Sequence, residues 1–168
     1  MKPALKIAIA GLGTVGGGVI KALTVRQAML VAQAGRGLEV CAVSARDQKK
    51  QRDFAVAKWV SDPVALATSD ADVVVELIGG EEGVARKLVE AALENGKHVV
   101  TANKALLAKH GRRLAEMAEA NGLQLKFEAA VAGGIPIVTT LREALIAHGV
   151  DAVKGILNGT CNYILTEM

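Results

Sequence analysis

Three stretches of this 168-residue chain combine residue types that could do chemistry, and a glycine turn comes first. Gly11-Leu12-Gly13-Thr14-Val15-Gly16 fits G-x-G-x-x-G. Such a string is weak alone, but here it follows an apolar strand pattern and opens a helix, the context that gives it meaning. Gly11 permits a tight turn, Gly13 lets a pyrophosphate approach the backbone, and Gly16 lets helix pack on strand. The helix N-terminus adds free N–H groups and a partial positive charge for phosphates. Gly17 and Gly18 extend the run; a glycine inside a helix costs about 1 kcal/mol relative to alanine, so close packing or close ligand approach explains them. A structural turn without ligand is the alternative.

The second strand ends in Ser44-Ala45-Arg46, where dinucleotide sites for NAD place an acid that holds the ribose 2′-hydroxyl. Arg46, with Lys49, Lys50 and Arg52 just beyond, suits a 2′-phosphate and favours NADP(H). Asp47 could serve a ribose instead, which leaves NAD(H) open, and Lys49 and Lys50 also fit an exposed helix face. The third strand ends in Glu76-Leu77-Ile78-Gly79-Gly80, where Gly79 and Gly80 let a cofactor pass near the backbone or simply form a turn.

The fourth strand, the second stretch of interest, ends in Thr101-Ala102-Asn103-Lys104. A lysine at a helix start opposes the dipole, which suggests a task for Lys104: holding a substrate or donating a proton. Thr101 is assigned to the cofactor site with it, although Thr101 or Asn103 could merely cap the helix. The third stretch, Glu128 to Pro136, is apolar and glycine-rich and lacks helix or strand periodicity. Its backbone oxygens and amides suit a cation or a small polar ligand.

These residues need elements to carry them. Strands are expected at Leu5 to Ala10, Leu38 to Val43, Asp72 to Leu77, Lys97 to Thr101 and Leu123 to Glu128. Helices are expected from the glycine turn to about Gln33, over Asp47 to Trp59, from Asp62-Pro63 onward, over Glu81 to Glu94 and over Lys104 to Ala120. The strands are apolar on both faces and alternate with helices, as a parallel sheet covered on both sides requires. The fold class is therefore α/β, a Rossmann-like doubly wound sheet. Beyond it, a helix over Pro136 to His148, a strand over Val150 to Leu157 and a helix starting at Asn158 read either as a C-terminal docking unit or as the edge of a second domain.

Bulk properties exclude other classes. Net charge is only +3, with no basic stripe interleaved with the four aromatics Phe54, Trp59, Phe127 and Tyr163, which argues against nucleic-acid binding. No apolar run reaches the ~18 residues of a membrane span, and Met1 to Ile9 lack the pattern of a signal peptide, so a cytoplasmic location is expected. Cys41, Cys161 and the three histidines have no metal-ligand spacing.

Taken together, the glycine turn, ELIGG (Glu76 to Gly80), TANKALLA (Thr101 to Ala108), FEAAVAGGIPI (Phe127 to Ile137) and GILNGTCNYILTEM (Gly155 to Met168) resemble the homoserine dehydrogenases, in the family's order and over almost the whole chain. The resemblance implies reversible, NAD(P)H-dependent reduction of L-aspartate 4-semialdehyde to L-homoserine, in the route to threonine, methionine and isoleucine. It puts Gly13, Thr14 and Val15 on the pyrophosphate, Lys104 near nicotinamide and substrate as the catalytic lysine, and Gly159 near the cofactor where two domains meet. It makes Glu128, Val131, Gly133 and Ile135 ligands of a monovalent cation, Na⁺. It also implies a homodimer when complete. Residues 1–136 would be the NAD(P)-binding domain and 137–168 the start of a substrate domain. Family enzymes carry further acidic residues and a second lysine there, none of them within Met1 to Met168, so the chain is expected to be truncated before most of that domain and to bind cofactor without full activity. Two other readings stay open: a non-catalytic dinucleotide-sensing module, and an oxidoreductase acting on another small carbonyl.

Overall fold

The computed structural model describes residues 2–56, 58–155, 163 and 165–168. Five strands, β1 (Leu5–Ala10), β2 (Leu38–Ser44), β3 (Val73–Glu76), β4 (His98–Thr101) and β5 (Leu125–Lys126), form one parallel sheet in the order β2-β1-β3-β4-β5. The central strands β1, β3 and β4 are short and mostly apolar, with β-branched residues at their buried positions, as strands covered on both faces require, whereas β5 at the edge is only Leu-Lys. Register pairs Ala10 with both Ser44 and Glu76, and Glu76 with Thr101. The ends of β2, β1, β3 and β4 therefore stop in one row, and the loops that leave them crowd one rim of the sheet.

Strand alternation divides the core. Ala8, Ala10, Ala42 and Val74 face one side, packed with Leu66, Leu88, Leu93, Leu106 and Leu114. Ile7, Ile9, Val43 and Val75 face the other with Leu12 and Ile20. Alanines on the first face let the covering helices α3 (Val84–Glu94) and α4 (Lys104–Ala120) settle close to the sheet.

Several elements differ from expectation. The first helix is two, α1 (Thr14–Val25) and α2 (Gln27–Ala34), bent by 80° at Arg26. Thr24 donates its hydroxyl to the Ile20 carbonyl, a bond that bends helices, just where the β-branched pair Thr24-Val25 ends the run. Between Asp47 and Trp59 there is no helix among the described residues, because local polar bonds hold this segment in an irregular path. The Asp62-Pro63 start opens only a 3₁₀ turn, Pro63–Thr68, with Asp62 accepting from the Val64 amide. Helix α3 begins at Val84 rather than Glu81, since Gly83 at φ +76° cannot be helical. Ile137–Thr139 makes one α turn (α5) that widens into a π turn over Thr140–Ala144, shorter than the helix expected to His148. Residues 150–155 form no strand; the rest of that expectation and most of the final helix fall on residues 156–162 and 164, outside the described residues, whereas Tyr163 and residues 165–167 are helical. No single helix is long and apolar enough to cross a membrane.

Candidate functional site

The rim is built around the turn between β1 and α1. Gly11 has φ +99°, and a Cβ on it would lie 2.5 Å from the Leu77 carbonyl oxygen, so only glycine lets β1 leave beneath the β3 loop. A Cβ on Gly16 would lie 1.9 Å from the Gly11 carbonyl oxygen, which shows how tightly helix seats on turn. Gly13 faces open space, and Thr14 and Val15 beside it are exposed. Helix α1 has no side-chain cap and no acid in its first turn, so its leading amides are left for an outside acceptor. The residues fit a diphosphate: an uncovered glycine cradle at a helix N-terminus.

In front of this turn lies a cleft of about 950 Å³. Gly11 and Gly13 form its floor, Arg46 and Lys49 one side, and Leu77 and Ile78 the other. Arg46 is exposed at the tip of β2. Its neighbours have separate jobs. Asp47 Oδ1 accepts from the Lys49 and Lys50 amides, closing a turn that points both lysines outward from a loop rather than from a helix. The Arg52 guanidinium donates to the Asp47 and Lys50 carbonyls, each at 2.7 Å, and stacks on Trp59 with 5.2 Å to the ring centroid. Arg52 is thereby committed to shaping the loop. Ser44 Oγ, at the tip of β2, is buried with no hydrogen-bond partner among the described residues, and Ser44 borders the same cleft.

At the next two strand tips Glu76 organises the backbone. It is fully buried, and its Oε1 accepts from the amides of Ile78 (2.8 Å) and Gly79 (3.0 Å). Its Oε2 accepts from the Thr101 hydroxyl at 2.6 Å. Thr101 Oγ1 accepts from the Asn103 amide. The Asn103 side chain caps α4 at the Leu106 amide and donates to the Gly80 carbonyl at 2.6 Å. Thr101 is fully buried and its hydroxyl donates to Glu76. Lys104, the first residue of α4, is exposed. Neither Lys104 nor the glycine pair Gly79 and Gly80 lines the 950 Å³ cleft; they stand one and two strands along the rim from the glycine turn.

The segment after β5 starts as a 3₁₀ turn, Glu128–Ala130, and continues through Ala132 (φ +54°) and Gly133 (φ +61°). Both Glu128 carboxylate oxygens are spent on the first turn of α5, accepting from the Val138 and Thr139 amides and the Thr139 hydroxyl. That hydroxyl, with the two amides, holds the Glu128 carboxyl below the usual carboxylate range. A cation here would have to be met by main-chain carbonyls; those of Glu128 and Ile135 already accept from Val131 and Ile137. Among the described residues no group of three or more His, Cys, Asp or Glu could hold a metal. Gly159 lies outside the described residues.

Sequence reasoning passed over Glu76 and Ser44 as functional residues. A lone acid closing the run Val73-Val74-Val75 was the available signal for Glu76; nothing local marks Ser44.

Comparison with known proteins agrees with this geometry. The family described as homoserine dehydrogenase, NAD binding domain, matches residues 11–128, and a second, described as homoserine dehydrogenase, matches residues 136–168. The homoserine dehydrogenase of Pseudomonas aeruginosa is 47% identical over 100% of this chain and 38% of its own length; that of Bacillus subtilis is 43% identical over 98% and 39%. The crystal structure of a homoserine dehydrogenase from Thiobacillus denitrificans superposes with a TM-score of 0.89 at 45% identity, covering 99% of this chain and 39% of that one. The chain thus spans well under half the length of these relatives. A glycine cradle open to a diphosphate, set in a five-stranded parallel sheet and matched over 118 consecutive residues, leads to one assignment: the chain belongs to the homoserine dehydrogenase family, with residues 11–128 as its NAD-binding domain.

Proposed function

We propose that residues 1–136 bind NADP(H) in preference to NAD(H), as the cofactor half of an enzyme that interconverts L-homoserine and L-aspartate 4-semialdehyde, and that residues 137–168 begin its substrate side. The observation that carries this reading is the cleft itself: Gly11 and Gly13 of the turn that leads into α1 on its floor, and the exposed Arg46, with Asp47 next to it, on its side. A guanidinium is a bidentate partner for a 2′-phosphate. Asp47, the one acid that could take a ribose hydroxyl instead, uses Oδ1 to close its own turn.

In this reading Gly11, Gly13, Thr14, Val15 and Gly16 receive the diphosphate, and Gly79 and Gly80 line the path of the other half, with Gly159 joining from the substrate side. The dinucleotide, when bound, supplies the hydride. Lys104 supplies positive charge and a proton to the oxygen of the substrate carbonyl, and closure by a substrate domain would give it the burial such a role needs. Main-chain oxygens of Glu128, Val131, Gly133 and Ile135 hold Na⁺; the support is a loop with two left-handed residues, Ala132 and Gly133, from which the Glu128 carboxylate is turned away into α5. Homodimer formation and a cytoplasmic location belong to the same reading.

Titration with NADPH and NADH side by side tests it. NADPH should bind more tightly, and Arg46→Ala should weaken NADPH by about tenfold or more while leaving NADH within about twofold. Equal affinities that Arg46→Ala does not change would remove the NADP(H) preference.

A further inference from the structure

A dinucleotide whose diphosphate sits at the tip of β1 and whose adenosine end turns toward Arg46, just past β2, must send its nicotinamide half the other way, across β3 and β4. This inference rests on that reading. The tips of β3 and β4 are joined by the closed circuit of hydrogen bonds through Glu76, Thr101, Asn103 and Gly80. The circuit is costly. Glu76 is fully buried, and among the described residues no cation pairs with it. A buried carboxylate without a counter-charge is expensive, and Val73, Val74 and Val75 show that the strand otherwise takes apolar residues.

A carboxylate differs from other polar groups because it only accepts. Both oxygens of Glu76 draw hydrogens toward themselves, two from the loop amides and one from Thr101. The Thr101 hydroxyl proton is thereby directed to Glu76, and its oxygen stays free to accept from the Asn103 amide. Asn103 then grips the far end of the same loop through the Gly80 carbonyl. Gly79 (φ +84°) and Gly80 (φ +86°) are held from both ends, and Lys104 begins its helix from the residue that does the holding.

We propose that Glu76, Thr101 and Asn103 are positioning residues for the nicotinamide half: they lock the Gly79–Gly80 loop and the start of α4 into one unit, so that bare backbone and Lys104 meet the nicotinamide end at a fixed spacing. None of the three needs to touch the cofactor.

The test uses this chain with two probes, NADPH and 2′,5′-ADP, which keeps the adenosine and 2′-phosphate but lacks nicotinamide. Thr101→Val is close in shape and removes the hydroxyl; Thr101→Ser keeps it; Glu76→Gln places a donor where the circuit needs an acceptor. NADPH binding is followed by dihydronicotinamide fluorescence and 2′,5′-ADP binding by calorimetry. Thr101→Val and Glu76→Gln should weaken NADPH about tenfold or more and 2′,5′-ADP by less than about twofold, and Thr101→Ser should bind NADPH like the parent. Equal weakening of both probes would show a merely structural role and overturn the proposal, as would unchanged NADPH affinity or a Thr101→Ser variant as poor as Thr101→Val. If Glu76→Gln fails to fold, the Thr101 pair decides alone. A parent chain that binds neither probe would instead sink the function proposed above.

Discussion

Gly13 and Gly16 are separated by three positions and do different physical work, which makes them a matched pair for experiment. A methyl group on Gly13 meets nothing within 4 Å, whereas one on Gly16 would run into the Gly11 carbonyl. Gly13→Ala should therefore unfold at nearly the parent temperature yet lose most NADPH affinity, because the methyl occupies the diphosphate's approach. Gly16→Ala should cost about 1–3 kcal/mol of stability, the usual penalty for overpacking. Thermal unfolding and NADPH titration on both variants check this; a stable Gly16→Ala chain with full affinity would contradict the packing argument. The motif spacing made both glycines legible in the sequence. Thr101 was legible only as a strand-tip residue, since its neighbour Glu76 lies 25 positions away and the two meet solely through parallel pairing of β3 and β4.

Elements meet at the surface through charges that no local pattern announces. Glu82, just before α3, accepts from Arg86 on α3 and from Lys109 and His110 on α4. These donors, Arg86 first, hold its carboxyl at about 2, down from 4.5. A folded-state pKa below the unfolded one means that the stabilisation is in force above pH 4.5 and is lost as pH falls toward 2. Urea unfolding between pH 6 and pH 3 should show a loss of stability that is smaller in Glu82→Gln; an identical acid loss in both would remove Glu82 as its source. Beneath this network, Leu88 of α3 is fully buried against the sheet. Leu88→Ala should cost about 2–5 kcal/mol in the same unfolding assay, the range for a leucine-sized cavity. Apolar spacing placed α4 and the end of α3 correctly, and missed only the start of α3, which Gly83 delays to Val84. It misjudged Asp47 to Trp59, because the Arg52 bonds to two carbonyls and its stacking on Trp59 are not periodic features.

For the molecule as a whole, the rim gathers five strand tips along one side of the sheet, and function follows from which tips are neighbours. The chain matches 38% of the length of its Pseudomonas aeruginosa relative. We expect these 168 residues to bind NADPH and to oxidise homoserine at no measurable rate in a steady-state assay; full enzyme-like turnover would show that Lys104 needs no partner domain. The positions of the five sheet strands, the parallel α/β class, the glycine turn and the lysine at the start of α4 were legible in sequence, whereas the further strand expected from Val150 was not found over residues 150–155, because alternation of apolar runs and turn residues is local information that only a neighbouring strand turns into a ladder. Strand order, the alignment of Ser44, Ala10, Glu76 and Thr101 in one row, and the buried circuit around Glu76 were decided only by the tertiary structure. A hydrogen bond between residues far apart in the chain exists only once the sheet has closed, and a carboxylate's surroundings, unlike its strand's periodicity, cannot be read until every neighbour has arrived.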